Sequence, residues 1–158
     1  MIKKLKTAPD IKPHRELYLA PYLRKVQFYE TDRMGIVHHS NYIRWFEEAR
    51  VDFMEKIGYT YSRVSENGIE FPVLEVASQY KGMVYFEQVV AVDARITSLT
   101  PSRFSIGYVI KDYKSAEVRT TGMSSHCFYS TIHRRPVSLK RELPELYELF
   151  ESWYAKKA

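Results

Sequence analysis

The sequence is poor in the residues that staple, break or anchor a chain. Its only cysteine, Cys127, has no partner for an intrachain disulfide, which sets a disulfide framework aside and fits a reducing compartment. Cys127 sits in the apolar stretch HCFYSTI, where a buried strand thiol is expected rather than a nucleophile. With only six Gly and seven Pro against 45% hydrophobic residues, the composition is that of a folded chain and not of a disordered one. No apolar run reaches the length of a membrane span, and the basic N-terminus MIKKLKTAPDIKPHREL lacks a signal-peptide core. A soluble, cytoplasmic protein is the resulting expectation. There is no basic stripe with interleaved aromatics, so nucleic acid is not an expected partner. His14, His126, His133 and Cys127 fall at no metal-ligand spacing, and no metal site is expected.

What the chain does have is aromatic residues, 13 Tyr and eight Phe among them, which suit strands and half-buried faces. Its 158 residues fit one domain with one core. Residues 1–21 carry three prolines and much charge and read as an N-terminal extension, leaving residues 22–158 as the single domain. The net charge of +5 comes partly from terminal lysines; it serves solubility or attracts a polyanionic ligand.

Leu23 to Tyr29 alternates as a first strand. From about Ser40 or Asn41 to Ile57 a helix follows. Its Tyr42, Trp45, Phe46, Ala49, Phe53 and Ile57 make a wide apolar face, with Ser40 and Asn41 as candidate N-caps and Gly58 as the stop. Thr60 to Glu66 reads as a short helix. Four strands are expected at Phe71–Tyr80, Glu87–Leu99, Arg103–Lys111 and Glu117–Ile132, separated by turn signals. ELPELYELFESWYAKK reads as a C-terminal helix with Pro144 near its start. A helix apolar over more than half its circumference needs cover on several sides, which a curved antiparallel sheet supplies. The fold class is therefore α+β.

The chemistry is concentrated in YETDRMGIVHHSNYIRWFEEAR, Tyr29 to Arg50. A polar turn with Asp32, Gly35, His38 and His39 runs straight into the apolar helix. A helix start presents unpaired N–H groups and the positive end of a dipole, and Gly35 allows a tight turn and close approach to backbone. Asp32 on its own is as consistent with a turn or cap carboxylate as with a reactive one. His39 can bind substrate, orient water or move a proton, or be a hydrogen-bonded loop residue. Glu47 and Arg50, three apart on the helix, read as a local ion pair.

Asp32, Gly35, Ile36, Val37, His39, Tyr42, Phe46, Glu47 and Arg50, between a strand and a helix and ahead of an antiparallel sheet, resemble the 4-hydroxybenzoyl-CoA thioesterase branch of the hotdog superfamily. Within it, the chain resembles the small bacterial acyl-CoA thioesterases associated with the Tol-Pal system. The resemblance spans roughly residues 22 to 135. It implies a hotdog fold, a five-stranded antiparallel sheet wrapped around a long central helix, to which this chain adds a C-terminal helix. It also implies protomers joined sheet edge to sheet edge, as dimers or a homotetramer of paired dimers, with active sites at the protomer interface. The implied reaction is hydrolysis of an acyl-CoA thioester to an acid and CoA. No separate cofactor is implied, since CoA is part of the substrate. Asp32 matches the catalytic carboxylate, as nucleophile or general base, and His39 contributes its backbone N–H to polarise the carbonyl and its side chain to the catalytic set. Gly35, Val37, His38 and Tyr42 would border the substrate. Arg103, in the turn Thr100-Pro101-Ser102-Arg103, would meet CoA phosphates or simply be an exposed strand-end arginine. The alternatives are a hotdog hydratase or dehydratase, whose His-Phe-Pro-type loop is missing here, and a non-catalytic acyl-chain or acyl-carrier-protein binding module.

Overall fold

The computed structural model describes residues 19–154, so residues 1–18 of the expected extension lie outside the described residues. Tyr22–Lys25 forms β1, and Phe28–Glu30 a single 3-10 turn. The long helix α1 is Ser40–Lys56 and the short helix α2 is Tyr61–Glu66. Ile69–Glu70 is β2, Val73–Tyr80 β3, Val89–Leu99 β4, Arg103–Asp112 β5 and Val118–Cys127 β6. Tyr129–Ser130 and Arg135–Pro136 are the short strands β7 and β8. Helices α3 (Leu139–Glu142) and α4 (Pro144–Trp153) complete the order.

The main sheet has five strands in the order β1-β4-β5-β6-β3, every neighbouring pair antiparallel. Its inner face comes from plain alternation: along β5, Phe104, Ile106, Tyr108 and Ile110 are buried while the residues between them are partly exposed. Bulges between Ile96 and Ser98 and between Ile110 and Lys111 add bend to the ladder. The sheet curls over α1, whose Tyr42, Trp45, Phe46, Ala49 and Phe53 are all buried. Phe46 stacks on Tyr108 with ring centroids 4.4 Å apart. It also approaches β6 closely at Gly122, where a Cβ would stand 2.4 Å from the ring. A long apolar helix inside a five-stranded antiparallel wrap is the hotdog arrangement.

Several boundaries differ from the sequence expectation, for local reasons. The first strand stops at Lys25 instead of Tyr29, because the Glu30 carboxylate accepts the Gln27 N–H at 2.8 Å and winds the chain into the 3-10 turn. The helix cap is His39 and not Ser40 or Asn41, whose side chains have other partners. The expected strand to Ile132 ends at Cys127. Phe128 donates its N–H to Ser102, and Tyr129–Ser130 joins a separate three-stranded sheet, β2-β7-β8. The C-terminal helix is split at Leu143, with Pro144 opening α4. Leu146, Tyr147 and Phe150 of α4 close one end of the core, where Phe150 meets Phe71, Phe104 and Phe128.

Candidate active site

The polar stretch before α1 is a narrow loop whose ends are pinned together. Thr31 and Val37 form an isolated antiparallel bridge, and the Asp32 N–H donates to Ile36 at 2.8 Å. Gly35 turns the chain with φ of 77°, a conformation that costs any residue with a Cβ. Its N–H returns to the Asp32 carbonyl at 2.9 Å. One carboxylate oxygen of Asp32, Oδ1, accepts the Met34 N–H at 2.7 Å. The other has no partner among the described residues. The loop is tied to the body of the domain by the Val37 N–H on Val84 and by a bridge between Ile36 and Tyr85.

Asp32 and His39 border one pocket of about 360 Å³, with Ile36, Val37 and Tyr42 on one side and Tyr80, Lys81, Gly82 and Met83 on the other. The His39 backbone N–H has no hydrogen-bond partner among the described residues. Its carbonyl accepts the Tyr80 hydroxyl at 3.0 Å. The His39 ring lies 4.1 Å from that of His38. Tyr42 is buried and its ring meets Tyr80 edge-on at 5.1 Å; burial, with the Tyr80 hydroxyl adding, pushes its phenol up to about 12, so it is a neutral hydrogen-bonding group. The arrangement places Asp32, with a free carboxylate oxygen, and His39, with a free backbone donor, on one largely apolar cleft.

The structure does not bring every expected residue to this cleft. Val37, Tyr42, Asp32 and His39 line it; Gly35 shapes the loop behind Asp32 without lining it. His38 is outside the lining, its Nδ1 lying 2.8 Å from the Ser40 hydroxyl. Arg103 is at the opposite end of the sheet. It starts β5, whereas Ile110 pairs with Thr120, and Thr120 pairs with Tyr80 of the pocket wall; that is roughly 20 Å of strand away. Glu47 and Arg50 do pair, at 3.7 Å, but buried Arg50 is held more closely by the Tyr61 hydroxyl at 2.7 Å.

Sequence reasoning missed Tyr80, Lys81, Gly82 and Met83, which reach the cleft only because β3 runs back along the start of α1. Glu30, two residues before Asp32, is buried and accepts from Arg24 Nη2 at 2.7 Å, Trp45 Nε1 at 2.9 Å and the Gln27 N–H. Burial raises its pKa, and these three donors outweigh burial, leaving it lowered: Glu30 is a fixed anion. Among the described residues no three His, Cys, Asp or Glu side chains gather as a metal site requires, and no helix is long and apolar enough to cross a membrane.

Fold and cleft together define a hotdog-fold thioesterase. The chain belongs to the thioesterase-like superfamily, whose family pattern matches residues 26–148. A protein of Aquifex aeolicus is 36% identical over 127 residues, covering 79% of this chain and 94% of its own length. A 1,4-dihydroxy-2-naphthoyl-CoA hydrolase of Thermosynechococcus vestitus is 26% identical, over 80% of this chain and 86% of its own. Among solved structures, a DHNA-CoA thioesterase of Staphylococcus aureus superposes with a TM-score of 0.79 at 29% identity, covering 84% of this chain and 88% of that one.

Proposed function

We propose that this thioesterase hydrolyses an acyl-CoA to a free carboxylic acid and CoA, with Asp32 and the His39 N–H as the reacting pair. The observation that carries the reading is that Asp32 and His39, which border the same cleft, each keep a polar group without a partner among the described residues, a carboxylate oxygen and a helix-start N–H. Attack on the thioester carbon puts negative charge on the carbonyl oxygen, where a fixed N–H is most effective; losing one such donor typically costs ~10²–10³ in turnover. Asp32 either attacks the carbon itself, giving an anhydride that water then opens, or takes a proton from the attacking water. Both routes break the C–S bond and release CoA thiol. The His39 ring supplies a proton relay at the cleft, Val37 and Tyr42 wall the acyl group, and Gly35 sets the turn that aims Asp32. The His38 side chain, engaged with Ser40, has no part in the reaction. The names of the relatives favour an aromatic acyl group, and the mostly apolar walls accept one. The reaction needs no cofactor beyond the CoA carried by the substrate.

The cleft is shallow in a single protomer, and β3 is an edge strand with Val73, Leu74, Val76 and Tyr80 exposed. An edge of this kind is a template for pairing. We place the dimer there, β3 against β3, with the homotetramer formed from two such dimers. Lys81 at the cleft mouth is a cation for CoA phosphates, and Arg103 serves that purpose only if a neighbouring protomer supplies it. A cytoplasmic location fits a CoA-borne substrate and one buried thiol. The test is thiol release from butyryl-, palmitoyl- and benzoyl-CoA. Release by the unaltered protein, lost in Asp32→Asn, is expected; no release from any of the three, or full turnover by Asp32→Asn, contradicts the assignment.

A further inference from the structure

The peptide that carries the His39 N–H is held on both sides, by Glu30 and by Asn41. The His38 N–H donates to the Glu30 carbonyl at 2.8 Å, and the Asn41 side-chain amide donates to that same oxygen at 2.8 Å. The His38 carbonyl, which shares its peptide plane with the His39 N–H, accepts the Asn41 N–H at 3.0 Å. Asn41 therefore grips the turn twice, once through its backbone and once through its side chain. An Asn in the first turn of a helix ordinarily turns its side chain to a local backbone group. This one, buried, reaches eleven residues back to Glu30 instead. Glu30 in its turn is immobilised by its carboxylate, clamped to β1 through Arg24 and to the second turn of α1 through Trp45. The path from α1 through Trp45 to Glu30, and from Glu30 through His38 and Asn41 back to the start of α1, is closed.

We propose that Glu30 and Asn41 are positioning residues for the hydrolysis, fixing the His38–His39 peptide so that its N–H stays aimed into the cleft. The proposal rests on the reading of the His39 N–H given above. Neither residue lines the cleft; both act through the peptide they hold. A donor that is already oriented needs no reorganisation as charge develops, and a misplacement of about 1 Å can cost ~10²-fold in rate. The sequence dictates the device through three residue types: a carboxylate that accepts three donors, an amide that reaches a carbonyl, and an indole N–H that ties both to the helix.

The experiment combines kinetics with the vibrational frequency of a bound thioester. Benzoyl-CoA with a labelled carbonyl is bound to Asp32→Asn protein, and its C=O band is compared with that of free benzoyl-CoA. The band is then measured in Asp32→Asn carrying either Asn41→Ala or Glu30→Gln. In the Asp32 background the same two replacements are assayed for kcat and KM, with circular dichroism to establish that each is folded. The expected result is a kcat lowered by about 10- to 100-fold with KM changed less than about twofold, and a C=O band that moves back toward the free value. A merely structural role would lower the melting temperature and leave the band of the folded protein where it was; that outcome in both variants overturns the proposal. If the band is unshifted already in Asp32→Asn alone, the reading of the His39 N–H fails, and with it the basis of the proposal. If one variant does not fold, the other carries the test.

Discussion

The Nε2 atom of His126 lies 2.8 Å from the hydroxyl of Ser124, at the inner end of a hydrogen-bonded file that starts on Arg50. Arg50 reaches the Tyr108 hydroxyl with Nη1 at 3.5 Å, and Tyr108 lies 2.8 Å from Ser124. His126 Nδ1 is 3.2 Å from the Phe71 carbonyl. A carbonyl can only accept, so Nδ1 carries the proton and Nε2 is the acceptor. Ser124 then donates to His126, and Tyr108 to Ser124. The file thus has one direction, from a permanent cation to a neutral imidazole.

A second proton on His126 would reverse that direction and put a new charge in the core. Burial, with the Arg50 charge adding to it, pushes the imidazole from 6.5 down to about 4. Between these values the unfolded chain takes up a proton that the folded protein refuses. His126 therefore contributes stability that is fully present above pH 6.5 and lost as pH falls toward 4, by at most about 3 kcal/mol. Urea midpoints at pH 7 and pH 4.5 should fall less with pH in His126→Gln than in the unaltered protein, because Gln can accept from Ser124 and donate to Phe71 without titrating. Equal slopes in the two proteins would assign the acid sensitivity to other groups.

Tyr80 joins the edge strand to the start of α1 through its 3.0 Å hydrogen bond to the His39 carbonyl. Tyr80→Phe keeps the ring on Tyr42 and removes only the hydroxyl. One such bond contributes on the order of 1 kcal/mol, so kcat should fall by about 3- to 10-fold with KM nearly unchanged. Steady-state kinetics on benzoyl-CoA decide it; a raised KM at constant kcat would place the hydroxyl on the substrate instead.

Gly122 is required for space. Its missing Cβ is what lets the Phe46 ring lie on β6, with the nearest ring atom 2.4 Å from where that carbon would be and the Ala77 carbonyl at 2.8 Å. Both neighbours are held, Phe46 by its stack on Tyr108 and Ala77 by the β3–β6 ladder. Gly122→Ala should destabilise the fold by about 1–3 kcal/mol through overpacking, read as a lower urea midpoint at unchanged slope. A stability equal to that of the unaltered protein would mean that Phe46 has somewhere else to go.

The helix and its motif were legible because their signals are local. Tyr42, Trp45, Phe46, Ala49 and Phe53 recur at helical spacing and are all buried, and Asp32, Gly35 and His39 lie within one loop and the helix start. The break at Phe128 was not legible, since residues on both sides of it are equally strand-forming and the cause is a carbonyl at Ser102. The cleft wall at Tyr80–Met83 and the donors on Glu30 were hidden for the same reason. Arg24, Gln27 and Trp45 converge on one carboxylate from a strand, a turn and a helix, and no spacing in the chain announces that. Arg103 illustrates the converse: its turn resembles a phosphate-binding one, but β5 carries it away from its own protomer's cleft.

The proposed dimer makes the last prediction. On β3, seven of eight residues are exposed, and among the described residues the strand has no neighbour on its outer side. Natural edges of this kind are protected by charge or by pairing, and on β3 a single charge, Glu75, stands among the exposed Val73, Leu74 and Val76. Val76→Lys adds a second charge without touching the ladder to β6, which is backbone bonding, or the cleft residues at the far end of the strand. Light scattering should then report monomers where the unaltered protein gives dimers or tetramers. If the cleft is completed by the proposed partner, turnover should fall with its loss and recover at protein concentrations high enough to restore dimers. A variant that stays dimeric and fully active would move the interface away from β3. A monomer that turns over normally would instead show that Asp32 and the His39 N–H of one chain suffice.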